Sequence, residues 1–306
     1  MARFLRAIAR ATVGAGAALL LSACATDLTQ ARSPCVYDPG GWCDFTRAAA
    51  EESWQYAQLS NNVYRDEEEL PHPPGGFVEA PDTPPEHTGG YAYIVYDRYE
   101  PGAGGEAELA ERVIAFRGTE MDSFEDWVFG NIGAQYNDRG WDTYAEQRKM
   151  LDEQGLDDVP ITLTGHSLGG AIAAYVALRE SRARSYAFNQ SPRFTAPEEP
   201  TRNRRLAVSE RGEALRGLPT GGGVFLQDTL VINCRPRGAP WKDHSIRKLA
   251  ECLTWIAAYD DPAALASVEM NAIPKPAIEC GPPEKLHPGD APPEVICQHV
   301  RKIGED

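Results

Sequence analysis

Ile161-Thr162-Leu163-Thr164-Gly165-His166-Ser167-Leu168-Gly169-Gly170-Ala171 is the stretch that decides the fold. A β-type run, 161–164, feeds a Gly-x-Ser-x-Gly turn. A small-residue helix follows, with Ala171, Ala173, Ala174 and Ala177. Strand, tight turn and helix are the context that makes this pattern a nucleophile elbow. Gly165 and Gly169 lack Cβ, so the chain can bend sharply and the helix can pack close to the strand. The hydroxyl of Ser167 is then held at the turn. The next amide, that of Leu168, opens a helix and is placed to stabilise an oxyanion.

Outward from the elbow, strands and helices alternate, which predicts an α/β class. Upstream, 44–64 carries Phe45, Ala49, Trp54, Ala57, Leu59 and Val63 roughly on one helical face. Residues 65–90 are acidic and Pro-rich and read as loop. Residues 91–99 and 112–116 read as strands, the second running into Arg117-Gly118-Thr119-Glu120. Met121, Phe124, Trp127 and Val128 recur at helical spacing, so 122–132 reads as an amphipathic helix, core or lid. Residues 142–154 give another helix, stopped by Gly155. Downstream, strands are expected at 185–188, 205–208 and, with a break near Asp228, 224–233, and a long amphipathic helix at 245–259. From Pro262 the chain is Pro-rich.

The 306 residues suit one large domain behind a leader. Arg3, Arg6 and Arg10 form a basic segment, and 11–21 is apolar but too short to span a bilayer. It ends in Leu21-Ser22-Ala23-Cys24, which resembles the lipobox of bacterial lipoproteins, where the Cys thiol is acylated and becomes the mature N-terminus. The expected division is a signal peptide at 1–23, a lipidated tether at 24–43, the catalytic domain at 44–260 and a Cys-containing extension at 261–306. Export follows, with anchoring through Cys24 and Ala25 pointing to the outer membrane of a bacterial envelope. With Cys24 lipidated, six of the seven cysteines remain. An even number in an exported chain argues for disulfides, and short-loop closure favours Cys35–Cys43, Cys234–Cys252 and Cys280–Cys297. No Cys or His spacing suits a structural zinc site. The net charge of -15, more negative once the three leader arginines are removed, argues against nucleic acid as a partner.

Several motifs now stand in one order: Val113-Ile114-Ala115-Phe116-Arg117-Gly118-Thr119, Asp126-Trp127, Asn131, Thr164-Gly165-His166-Ser167-Leu168-Gly169-Gly170 and Ser191-Pro192-Arg193. Together they resemble the class 3 lipases, the fungal triacylglycerol-lipase-like α/β-hydrolases, over about 45–259. The resemblance implies an α/β-hydrolase fold with a central mostly parallel sheet and helices on both faces, a Ser–acid–His triad and hydrolysis of carboxylic esters, often of lipids.

An acyl-transfer site needs a nucleophile, a base, an orienting acid and two N–H donors. Ser167 is the nucleophile. The order Ser, acid, His removes His72 and His87 as bases. His166 belongs to the turn and is expected to point away from its neighbour's reactive face. Of His244, His287 and His299, His244 lies between a strand and a long helix and is the expected base. The family places an Asp after the strand that follows Ser-Pro-Arg, and this chain has none there. Glu210 stands closest to the strand end and is the expected acid, with Glu213 the alternative and Asp228 or Asp243 behind them. By resemblance, Thr119 is the second oxyanion residue beside Leu168. No metal or cofactor is required. The chain is expected to be a monomer. Triacylglycerol lipase, phospholipase A1, short-chain esterase and a non-catalytic envelope lipoprotein are the competing readings.

Overall fold

Strand β4 (Ala107–Phe116) shows how the chain builds two layers around a sheet. Val113 and Ala115 face one core, and Ile114 and Phe116 face another, because successive side chains on a strand point to opposite faces. A run apolar on both sides therefore demands cover on both faces. In the computed structural model, that cover is helical. The residues described are 27–29, 35, 38–65, 69–81, 83, 91–118, 132–192, 194–217, 226–235, 240, 242–276 and 279.

The elements are β1 (Asp27–Thr29), α1 (Asp44–Asn62), β2 (Phe77–Glu79), β3 (Tyr93–Pro101), β4 (Ala107–Phe116), α2 (Ile132–Glu153), β5 (Ile161–His166), α3 (Leu168–Ala177), β6 (Ala183–Phe188), β7 (Arg205–Glu210), β8 (Asp228–Ile232), α4 (Ile246–Ala257) and α5 (Pro262–Met270). Among the described residues the sheet has eight strands in the order β1-β8-β7-β6-β5-β4-β3-β2. From β4 to β1 every neighbouring pair is parallel, and β2 and β3 are added antiparallel at the other edge. This is an α/β-hydrolase fold. Trp54 and Leu59 of α1, Leu253 and Ile256 of α4 and Val268 of α5 pack on the Val113 face with Phe188, Val208 and Leu230. Tyr144 and Leu151 of α2 and Ile172 and Val176 of α3 pack on the other face with Ile161 and Leu163.

Two buried charged clusters in the sheet are paired. Glu111, fully buried, accepts from Tyr56 Oη at 2.9 Å and Arg184 Nη2 at 2.7 Å through Oε1, and from Arg98 Nε at 3.1 Å through Oε2. Arg112 donates to both oxygens of Asp97 at 2.8 Å each, a bidentate pair across β3 and β4.

Four expectations change. Part of the 24–43 segment is not tether, since residues 27–29 pair in parallel with β8. Helix α2 begins at Ile132, ten residues before the expected start, while 122–131 lie outside the described residues. The strand expected over 224–233 is formed at Asp228–Ile232. The Pro-rich C-terminal stretch opens with α5, where Asp261 caps the helix by accepting from the Ala263 amide at 2.8 Å and Pro262 takes the first helical position, which needs no N–H. Disulfides Cys35–Cys43 and Cys234–Cys252 are present. Cys24, Cys280 and Cys297 lie outside the described residues. Among the described residues, no helix is long and apolar enough to cross a membrane.

Candidate active site

The elbow takes the form its sequence demands. Ser167 sits between β5 and α3 with φ 56° and ψ −119°, a region that costs a non-glycine residue about 1–3 kcal/mol and persists only where the surroundings enforce it. They do so here. The Ser167 amide donates to Phe188 O and its carbonyl accepts from Ser191 N, both at 3.0 Å. A Cβ on Gly165 would lie 2.4 Å from the backbone of Gly169, and one on Gly169 would lie 2.1 Å from Phe116 O. Both glycines are required by close approach of β4, β5 and α3 at this point. Leu168 opens α3, so its N–H is one of those a helix leaves without an internal partner.

His244 and Glu213 come from the loops after β8 and β7. His244 lies after β8, just ahead of α4, whose first turn Ser245 caps by accepting from Lys248 N. Its Nδ1 lies 3.0 Å from Glu213 Oε2, and both residues are buried. The same Oε2 accepts from the Leu215 amide at 2.8 Å. Glu213 is thus oriented by its own short turn and holds the imidazole with Nδ1 protonated, leaving Nε2 as the basic nitrogen.

The carboxylate that meets His244 is that of Glu213, not that of Glu210. Glu210 is the last residue of β7 and its carboxylate turns away, accepting from the Cys234 amide at 3.1 and 3.2 Å. Burial pushes its carboxyl up to about 7, against opposing effects from the Cys234 amide and Arg235. Three further residues carry the chain around the turn and bring Glu213 to the histidine. Asp243 pairs with Arg235 at 2.9 Å, and Asp228 pairs with Arg204, so neither takes that place.

His166 does not stand aside as its place in the turn suggests. Its ring lies 4.6 Å from that of His244, its Nε2 is 2.7 Å from the His244 carbonyl and its Nδ1 is 2.9 Å from Tyr64 Oη. Burial, with His244 beside it, pushes its pKa well below the usual histidine range, so the ring is neutral. Tyr64 and Asn189 are further residues that motif reading missed. Asn189, at φ 40°, accepts from the Glu210 amide at 2.8 Å and reaches the Asp243 carbonyl at 3.5 Å, bridging the ends of β6 and β7 to the His244 loop. The only sequence signal for it was its position at a strand end. Thr119, the segment 121–128, His87, His287 and His299 lie outside the described residues. Gly118, which precedes Thr119, is in place: a Cβ on it would lie 3.1 Å from the Ser167 Cβ.

A strained serine at a strand–helix turn, with a buried carboxylate–imidazole pair on the loops that follow β7 and β8, defines a site of the α/β-hydrolase type. Residues 55–193 match the model of the phospholipase-like family described as the Tle-like phospholipase domain. Among solved structures, the chain is similar to a mutant form of MDLA from Penicillium cyclopium (17% identity, TM-score 0.41, covering 58% of this chain and 75% of that one). It is also similar to the lipase from Rhizopus microsporus var. chinensis (15%, TM-score 0.37, 64% and 78%) and to the LIP2 lipase of Yarrowia lipolytica (13%, TM-score 0.38, 58% and 76%). No curated protein matches its sequence.

Proposed function

We propose that this protein is a serine hydrolase that cleaves carboxylic esters of lipids through an acyl-enzyme on Ser167. The observation that carries this reading is the 3.0 Å contact of His244 Nδ1 with Glu213 Oε2, presented from the loops after β8 and β7 beside the Ser167 elbow. His244 Nε2 takes the Ser167 proton and the alkoxide attacks the ester carbonyl. The Leu168 amide, with that of Thr119, stabilises the tetrahedral oxyanion. Collapse expels the alcohol, protonated by His244, and the histidine then activates water to release the acid. Glu213 orients the imidazole and stabilises its cationic form. The match over 55–193 supports phospholipids as a substrate class, and phospholipase A1 action is the second reading. Export and anchoring through acylated Cys24 belong to the same proposal, and the two disulfides are consistent with an oxidising compartment.

Labelling with a fluorophosphonate tests the chemistry: wild-type protein is expected to label, and Ser167→Ala is not. A wild-type protein that stays unlabelled defeats the hydrolase reading. A series of p-nitrophenyl esters and a phospholipid labelled on one acyl chain then test the substrate. Hydrolysis confined to acetyl and butyryl esters would remove lipids from the proposal.

A further inference from the structure

Three hydrogen bonds run in sequence past the nucleophile. The Gly118 amide donates to Tyr64 Oη at 3.1 Å. Tyr64 Oη lies 2.9 Å from His166 Nδ1, and His166 Nε2 lies 2.7 Å from the carbonyl oxygen of His244. Chemistry fixes the direction of each proton. A carbonyl only accepts, so His166 carries its proton on Nε2. The ring is neutral, so Nδ1 is an acceptor, and the Tyr64 hydroxyl donates to it while its oxygen receives the Gly118 N–H. The chain has one consistent polarity from the end of β4 to the base-bearing loop.

Its two ends are the parts of the site that must be held in register with Ser167. At one end is Gly118, the residue before the expected oxyanion residue Thr119. It is wedged where a Cβ would lie 2.6 Å from both His166 O and Tyr64 Oη and 3.1 Å from the Ser167 Cβ. At the other is the main chain of His244. Glu213 holds the imidazole at its Nδ1 side, and the contact from His166 to the backbone carbonyl fixes where the residue itself sits. Tyr64 follows α1 and His166 ends β5, so the chain joins three segments far apart in sequence.

We propose that Tyr64 and His166 form a neutral hydrogen-bond relay that sets the Gly118 amide and the His244 backbone in place around Ser167, and that both act as positioning residues for the reaction. The inference rests on the hydrolase reading above. Misplacing catalytic groups by even an ångström lowers the rate of the chemical step rather than ground-state binding.

The test uses the full chain with p-nitrophenyl butyrate and a fluorophosphonate. Tyr64→Phe keeps the ring and removes the hydroxyl. It is expected to lower kcat by about 10- to 100-fold with KM within about twofold, and to slow labelling in the same proportion. His166→Leu is expected to lose at least as much. His166→Gln, whose amide offers an N–H toward the same carbonyl, is expected to regain part of the loss. Nitrogen NMR of the imidazoles supplies a readout independent of turnover: His166 is expected in the Nε2–H tautomer and not to titrate near neutral pH. Folded Tyr64→Phe protein that turns over and labels at the wild-type rate overturns the relay alone. So does an Nδ1–H tautomer at His166. Wild-type protein that neither turns over nor labels defeats the hydrolase reading, and the relay's catalytic role with it.

Discussion

Two glutamates three residues apart, Glu210 and Glu213, are both buried, yet only one faces the histidine. Glu213 has its Oε2 committed to His244 Nδ1 and the Leu215 amide. Glu210 is committed to the Cys234 amide. Their variants should therefore separate cleanly. Glu213→Gln replaces an acceptor by an amide that cannot stabilise an imidazolium, and kcat is expected to fall by about 10²–10⁴-fold. Glu210→Gln preserves an acceptor for Cys234 and touches neither Ser167 nor His244, and kcat is expected to stay within about threefold. Steady-state kinetics on one ester with both variants decides the assignment. Comparable losses in the two would return Glu210 to the site.

At the level of elements, the loop that carries His244 is closed by a covalent bond. Cys234 follows β8, Cys252 lies within α4, and their disulfide spans 18 residues that include Asp243 and His244. Closing a loop of that length restricts the unfolded chain by about 3 kcal/mol, and the shorter Cys35–Cys43 loop restricts it by less. Replacing Cys234 and Cys252 by Ala is expected to lower stability by about 2–4 kcal/mol in urea unfolding and to reduce kcat, because the loop carries the base. Replacing Cys35 and Cys43 is expected to cost less stability and to leave kcat unchanged. Equal effects on kcat would mean that the disulfide does not constrain the site. Both observed short-loop pairings were legible from spacing, as were the elbow, the second half of β4, β5 through β7 and α4, because each carries an apolar period or a turn that constrains the backbone path. The carboxylate partner of His244 was not legible. Which of two glutamates reaches a histidine 31 residues away depends on how a turn after β7 folds, and composition there is silent. The role of His166 was hidden for a related reason: residues joined by its hydrogen bonds lie about a hundred positions upstream and about eighty downstream. The start of α2 was missed because Asn137, buried on that helix, breaks an apolar period rather than marking one.

Across the whole molecule, two buried groups near the site impose opposite dependences of stability on pH. Glu210 has its pKa raised to about 7 by burial, above its ordinary value of 4.5. Between those values the folded chain holds the proton more tightly than the unfolded chain, so stability falls as pH rises, by roughly 3 kcal/mol over the full window if Glu210 acted alone. His166 is shifted the other way, well below 6.5. There the unfolded chain binds the proton first, so its contribution is fully present above pH 6.5 and is lost as pH falls below it. Below about pH 6.5 the two slopes oppose one another, and the wild-type profile conceals both. Single variants should unmask them. Glu210→Gln removes the stabilisation gained on acidification, so its Tm is expected to exceed that of the wild type near pH 8 and to fall away more steeply below pH 6.5. His166→Gln leaves the glutamate uncompensated, so its loss of Tm on acidification is expected to be smaller than that of the wild type. Glu279, also raised by burial, is present in every variant and cancels from the differences. Calorimetric Tm values between about pH 5 and 8 provide the measurement. Profiles for the variants that run parallel to the wild type would show that neither proton is linked to folding. Profiles that diverge in the stated directions would place a carboxyl and an imidazole, both uncharged in the folded protein near pH 6, on either side of the loop that carries His244.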